Sequence, residues 1–295
     1  MKRLLALGVV LVLACSGGAD PLKREVVDEV GRRVEVPKRV HRIVSLAPSL
    51  TELVFALGLE QELVGVTDFC DFPPQAKGKA KVGGMINPNL EAILALRPDL
   101  ILATVEGTRA ETVSSLERLG LPVFVVKSRG LQGLFSSIEK LGEAMGRDEA
   151  ARALVQKLQG RVGEIKRRVE GLSRPRVLYL VWPEPPIVPG KGTFIDDLVQ
   201  LAGGESISGD SRVPYPQYSL EEIIARSPEV IVISSKHGER EAADLVRRLK
   251  RLISLPAVRH GRIHFLDGDL VNRPGPRIVE GLFILARLIH PEAFP

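Results

Sequence analysis

The chain has 295 residues, 44% of them apolar and 26% charged, with a formal net charge of +5. That length suits one large domain or two of ordinary size, and the mixed composition belongs to a globular protein rather than a disordered one. Part of the positive charge comes from Lys2 and Arg3, and the rest is scattered among acidic residues with no basic run interleaved with aromatics, which argues against a nucleic-acid partner.

The first residues, "MKRLLALGVVLVLACSGGAD", have the form of an export signal. A basic start precedes an apolar run from Leu4 to Ala14 that is shorter than the ~20 residues a stable membrane span needs. Small Ala14 then precedes Cys15 and a polar, flexible stretch, the pattern of a bacterial lipoprotein signal. Residues 1–14 are therefore expected to be removed, leaving Cys15 as the lipidated new terminus; ordinary signal cleavage is the alternative. Both outcomes export the chain, to the periplasm or the cell surface. The one other cysteine, Cys70, then has no partner for a disulfide, and a structural thiol is expected there.

Residues 15–38 read as a tether and a hairpin turning at Gly31. From 39 to 146 the chain alternates strands and helices: strand "RIVSL", helix "SLTELVFALG" with Ser49 as N-cap and Glu52 three residues on, strand "ELVGVT", helix "NLEAILALR", strand "DLILAT", a helix near 108–119, and strand "PVFVVK". Continuous Val, Ile and Leu in the strands, separated by amphipathic helices, predict a parallel sheet covered on both faces. From 147 to 172 the pattern changes: Leu154, Leu158, Val162, Ile165 and Val169 form one helical stripe, with Asp148 placed to cap the start and Gly171 near the end. Residues 173–295 then alternate again, through strand "RVLYLVW", helices "TFIDDLVQLAGG" and "SLEEIIARS", strand "EVIVIS", helix "EREAADLVRRLKRL", strand "RIHFLD" and helix "PRIVEGLFILARLI".

The second half repeats the first. "NLEAILALRPDLILA" from Asn89 recurs about 130 residues later as "SLEEIIARSPEVIVI" from Ser219, with Glu91 and Glu221 in register. The expected architecture is α/β, with two lobes around largely parallel sheets joined by one long helix.

Catalytic signatures are missing: there is no G-x-S-x-G elbow, Walker A loop or Rossmann glycine fingerprint. The five histidines, His41, His237, His260, His264 and His290, are dispersed, so no metal or cofactor site is expected. One enzyme alternative remains, an exported metal-dependent activity using Asp267, Asp269 and His264. Asp267 and Asp269 flank Gly268 at a strand end, where capping a turn is the commoner role. What stands out is aromatic and sulfur side chains in proline- and glycine-rich loops: Phe69 and Phe72 in "TDFCDFPPQ", Met85 in "VGGMINPN", Trp182 in "VWPEPPIVPGKG" and Tyr215 in "DSRVPYPQYS". Any one of them could anchor its own loop; together they predict an apolar small-molecule cleft between the lobes.

Four of these stretches, "RIVSLAPSLTELVFALG", "GVTDFCDFPPQ", "NLEAILALRPDLIL" and "DSRVPYPQYSLEEIIARSPEVIVI", resemble the substrate-binding proteins of ABC importers for cobalamin, iron siderophores and haem, in which one long helix joins two lobes. With "NRPGPRI", the last is most similar to the cobalamin-binding member, and the resemblance runs from Arg39 to Ile289. It implies no enzymatic activity but a monomer that captures a corrinoid, with a ferric siderophore or haem as the alternative, and passes it to a dimeric permease with ATPase subunits. It implies that Glu91 and Glu221, one per lobe, dock onto permease arginines. In the cleft it implies ligand contacts from Phe69 and Tyr215, which stay aromatic, from Met85 and Thr104, which stand where the cobalamin-binding member has tryptophans, and from Asp269 and Arg273. Trp182 joins them by its place in a proline-rich loop.

Overall fold

The computed structural model describes residues 22–234, 239–249, 251–252 and 254–294; the leader, Cys15 and His237 lie outside them. The described chain opens with an antiparallel hairpin, β1 (Lys23–Val27) and β2 (Arg33–Pro37), turned where Gly31 adopts φ +84. There follow β3 (Ile43–Ser45), α1 (Pro48–Ala56), β4 (Leu63–Val66), the short β5 (Ala80–Lys81), α2 (Leu90–Ala95), β6 (Leu100–Thr104), α3 (Ala110–Arg118) and β7 (Val123–Val126). Their strands make one parallel sheet in the order β5-β4-β3-β6-β7.

Two helices then run consecutively, α4 (Gly130–Met145) and α5 (Asp148–Val169). The 22 residues of α5 extend about 33 Å at 1.5 Å per residue. Its acidic first turn, Asp148 and Glu149, and basic last turn, Lys166 to Arg168, both suit the helix dipole. The helix starts at Asp148 itself, with Arg147 in the cap position and no side-chain cap bond, so the expected Asp148 cap is not formed.

Beyond α5 come β8 (Arg176–Leu180), a small hairpin of β9 (Trp182–Pro183) and β10 (Pro186–Ile187), α6 (Phe194–Leu201), β11 (Glu205–Ser206), α7 (Leu220–Arg226), β12 (Val230–Ser234), α8 (Glu239–Leu249), α9 (Pro256–Arg259), β13 (Ile263–Leu266), the short α10 (Gly268–Val271) and α11 (Ile278–Ile289). The second sheet is again parallel, in the order β11-β8-β12-β13, which repeats β4-β3-β6-β7 strand for strand. "RVLYLVW" is not one strand: it breaks after Leu180, and Trp182 enters the hairpin.

Each sheet has an outer apolar layer of its own. On the first, Ile93, Val113 and Leu116 pack on Val44 and Ile101; on the second, Ile223 and Leu245 pack on Leu178 and Ile231. The inner layers are not separate. One continuous apolar cluster takes in Leu50 and Phe124 of the first lobe, Leu141 of α4, Val155, Leu158, Val162 and Ile165 of α5, and Val177, Leu198 and Leu282 of the second.

Within this shared core α4 and α5 meet very closely. A Cβ added at Gly142 would sit 2.3 Å from Ala151 Cβ, so only glycine permits the crossing. Gly142→Val is expected to lower the urea unfolding free energy by about 1–3 kcal/mol through overpacking. Exposed Gly160, with nothing within 4 Å of its would-be Cβ, behaves oppositely: Gly160→Ala is expected to raise stability by ~0.5–1 kcal/mol through helix propensity.

Candidate ligand-binding cleft

In a parallel sheet crossed by helices, the loops after the carboxyl ends of the strands collect on one side, where ligands bind. Every residue predicted for the cleft lies at or beyond the carboxyl end of a sheet strand. Phe69 follows β4, Met85 follows β5, Thr104 ends β6, Trp182 follows β8, Tyr215 lies in the loop after β11, and Asp269 and Arg273 follow β13.

The two sets of loops face each other, and charge joins them. Arg273 Nη1 lies 2.8 Å from Asp71 Oδ1 in the loop after β4, while its Nε is 3.1 Å from Asp269 Oδ1 on its own lobe. Four residues on, Arg277 makes a two-pronged contact with Glu52 of α1, at 2.9 Å to Oε2 and 2.6 Å to Oε1. The Arg277 guanidinium also lies 3.8 Å over the ring of Phe72. Glu52 is buried and Arg277 nearly so, so this pair is a desolvated link across the cleft floor. The intervening Gly275 lets the loop press on α1: its Cβ position is 3.4 Å from Glu52 Oε2 and 3.5 Å from Ser49 Cα.

This corrects the expectation for α1. The helix begins at Pro48 with Ala47 in the cap position; Ser49 is inside the helix, and Glu52 binds Arg277 rather than closing a capping box.

Around that floor the predicted residues take distinct positions. Met85 and Thr104 converge, since a Cβ placed on Gly107 would be 2.6 Å from Met85 Cε and 2.9 Å from Thr104 Oγ1. Thr104 Oγ1 is engaged by the Gly107 amide, which fixes the turn after β6. Tyr215 is half exposed, and burial, followed by the negative charge of Glu106 from the opposite lobe, raises its phenol above the usual range. Phe69 is 57% exposed, a large ring left in water in the ligand-free protein. Trp182 is 36% exposed with its indole N–H donated to Glu184 O, so it is held to its own turn rather than joined to the other predicted residues.

Beneath Tyr215 lies a polar set that the sequence did not single out. Tyr179 donates to Asn272 Oδ1 at 3.3 Å, and Asn272 Nδ2 donates to Ser234 Oγ at 3.1 Å. Burial is the main cause that pushes the Tyr179 phenol far upward. Asp71, Glu106 and Arg277 likewise carry no role in the sequence reading. Only the "NRPGPRI" resemblance drew attention to the segment holding Arg277.

The alternative metal-dependent site does not assemble. Asp267 caps α10 by accepting from the Asp269 amide, Asp269 pairs with Arg273, and no group of three or more His, Cys, Asp or Glu among the described residues could hold a metal. Burial, with Arg262 nearby, lowers the pKa of half-buried His264 in β13. Cys70 is buried against the hydroxyls of Thr51 and Thr67 at 3.1 and 3.2 Å, as expected of a structural thiol.

Glu91 and Glu221 are both exposed on the first turns of α2 and α7. Asn89 caps α2; Ser219 caps α7 in a reciprocal capping box whose acid is Glu222. Neither Glu91 nor Glu221 forms an ion pair with another described residue, so neither has a local structural task that the capping residues leave unfilled.

The described fold and this opposed pair of strand-end surfaces fit the comparisons with known proteins. The chain belongs to the periplasmic binding protein family, whose model matches residues 43–270. It is 32% identical to the ABC transporter substrate-binding lipoprotein YvrC of Bacillus subtilis (strain 168), over 98% of this chain and 96% of that one. It is 34% identical to the vitamin B12-binding protein of Yersinia pseudotuberculosis, over 89% of this chain and 91% of that one. Among solved structures, the periplasmic vitamin B12-binding protein BtuF of Vibrio cholerae superposes with a TM-score of 0.76 at 29% identity, covering 87% of this chain and 99% of that one. The relatives bind ligands rather than transform them, and this chain is a binding protein, not an enzyme.

Removing Glu52 leaves the mostly buried Arg277 guanidinium without its two-pronged carboxylate partner. Glu52→Ala is therefore expected to cost about 3 kcal/mol in urea unfolding. Glu52→Ala combined with Arg277→Met should recover most of that loss. Equal stability of Glu52→Ala and the parent chain would show that the pair carries no such weight.

Proposed function

We propose that this chain is the extracytoplasmic substrate-binding component of an ABC importer, and that its ligand is a corrinoid, cobalamin in the first instance. The observation that carries the reading is the cleft itself. Half-exposed rings in strand-end loops of both lobes, Phe69 and Tyr215, occur in the same loop sets that Asp71, Arg273 and Asp269 tie together. A corrin is a broad, flat, largely apolar macrocycle with amide groups around its edge. Rings and the Met85 thioether suit its faces, while charged side chains suit its amides. The vitamin B12-binding relative supports this choice of ligand.

In this reading ligand contacts come from Phe69, Met85, Thr104, Trp182, Tyr215, Asp269 and Arg273. Glu91 and Glu221 dock onto basic residues of a permease dimer, which works with its ATPase subunits. Cys15 carries lipid and holds a monomer at the membrane surface, as the lipoprotein relative supports. Closure on binding is small. The lobes share a core around α5 and are already joined by two ion-paired arginines, so loop ordering, rather than a swing of lobes, encloses the ligand.

Cyanocobalamin titrated into the purified protein should bind at micromolar concentration or tighter, read by calorimetry and by its visible absorption. Tyr215→Ala is expected to weaken it about tenfold, the scale of one lost stacking contact. Absence of heat with cobalamin, together with a new visible band on adding haemin or a ferric chelate, would reassign the ligand. Crystals of the free and bound forms differing by a lobe rotation beyond about 20° would contradict the small closure.

A further inference from the structure

The repeat that carries Glu91 and Glu221 also carries an exposed aliphatic side chain one turn further on. In register, Leu94 of α2 corresponds to Ile224 of α7, and they are 44% and 37% exposed. Residues three apart lie on the same helix face, so each carboxylate has a branched aliphatic neighbour beside it on the outward side. The opposite side of each helix is fully committed: Ile93 and Ile223 are completely buried in the outer apolar layers of their sheets. A single exposed Leu on a surface needs no explanation. The same acid–aliphatic pair at equivalent places on both lobes does, and the exposed Ala95 and Ala225 beside it are also alike.

Both pairs are also held in place by the same device. Before β3, Arg42 donates from Nε and Nη2 to Leu96 O at the end of α2, at 2.8 and 2.7 Å, and its amide donates to Asp99 Oδ1 at 2.9 Å. At the start of β8, Arg176 donates from Nε to Ser227 O at the end of α7 at 3.0 Å, and its amide donates to Glu229 Oε2 at 2.9 Å. Between helix and acid, Arg97 and Ser227 are the non-glycine residues with positive φ among the described residues, +45 and +49, and they too are in register. Each docking helix is thus fixed at the start of an inner strand of its sheet by an arginine, an acid and a strained link. In a strand-crossing parallel sheet both helices also begin at the cleft end of their lobe.

We infer that Leu94 and Ile224 are the apolar half of the permease contact, each completing an acid-plus-aliphatic knob, so that the partner is a two-fold pair of membrane subunits presenting, twice, a cation beside an apolar hollow. This rests on the importer reading and adds to it what the carboxylates alone do not supply. Exposed ion pairs contribute little net affinity and are screened by salt, so Glu91 and Glu221 set encounter and register. Burial of two aliphatic side chains is what slows dissociation.

The test titrates purified protein against the organism's permease–ATPase complex in proteoliposomes, at two salt concentrations, with protein-free liposomes alongside. Leu94→Ser with Ile224→Ser is expected to weaken association at least tenfold through faster dissociation, with the salt dependence, the cobalamin affinity and the unfolding midpoint unchanged. Glu91→Gln with Glu221→Gln should slow association and flatten the salt dependence. Leu94→Ile with Ile224→Leu should restore the parent value. If the serine pair binds like the parent while the glutamine pair is impaired, the inference fails and the importer reading stands. If neither pair matters, or the parent chain does not bind the complex, both fail. Equal binding to protein-free liposomes would assign the face to the bilayer, and concentration-dependent dimers lost in the serine pair would assign it to a second copy of this chain; either overturns the inference.

Discussion

The apolar core that α5 draws from both lobes governs the behaviour of the whole molecule. Ala151, Val155, Leu158, Val162 and Ile165 are buried along one side of the helix, and α4, α6 and α11 close around them. Two-lobed binding proteins joined by flexible strands can open widely because only the joints resist. Here, separating the lobes by a large rotation would expose part of a single close-packed interior, and close packing gives little for small displacements. Fixed separation follows from the packing, and the loops at the strand ends are left as the parts free to adapt to a ligand.

A second consequence concerns where charge can be placed. The floor of the cleft lies next to this core, so a charge there must arrive with its partner. Glu52 and Arg277 are such a pair, with Phe72 stacked on the guanidinium and excluding water from one side. A buried pair of this kind adds little stability against an apolar substitute of the same shape, but breaking it is costly. It therefore serves registration: it fixes which part of the second lobe meets the start of α1. From that point Arg273 reaches the cleft and is shared between Asp71 and Asp269.

The parts legible in sequence are those whose cause is local. The stripe on α5 and most of the buried strands rest on spacing within about 20 residues, and the duplication of α2 and α7 on two such local phrases repeated about 130 residues apart; these match the structure. The helix α4 was overlooked although Leu131, Leu134, Ile138, Leu141 and Met145 repeat at helical spacing, because Gly130, Gly133, Ser136 and Ser137 interrupt it with residues of poor helix propensity. Glu52 was misread for a different reason. Its position three residues after Ser49 satisfies a local capping rule, while its actual partner is 225 residues away in sequence. A residue type fits several local roles, and only the fold decides among them. The cleft was legible as a set of loops rather than as contacts: proline, glycine and aromatics marked the loops, but nothing local to Asp71 or Glu106 says which loop they oppose.

The ion-paired floor also bears on selectivity. Arg273 is paired with two carboxylates, and the Tyr179, Asn272 and Ser234 side chains are bonded to one another. In the proposed reading, a ligand gains from these groups only by offering hydrogen bonds at least as good as the ones it displaces. In that reading, a purely apolar macrocycle laid over them would leave the buried members, Tyr179 and Ser234, and the partly buried Arg273 with poorer partners, at a cost that offsets part of any stacking gain. A flat ligand with polar substituents on its rim avoids that cost by inserting its edge between partners that are already aligned. Discrimination in the proposed reading would then come from the rim of the ligand rather than its face: any broad ring could lie against Phe69 and Met85, but few could replace Asp71 on Arg273.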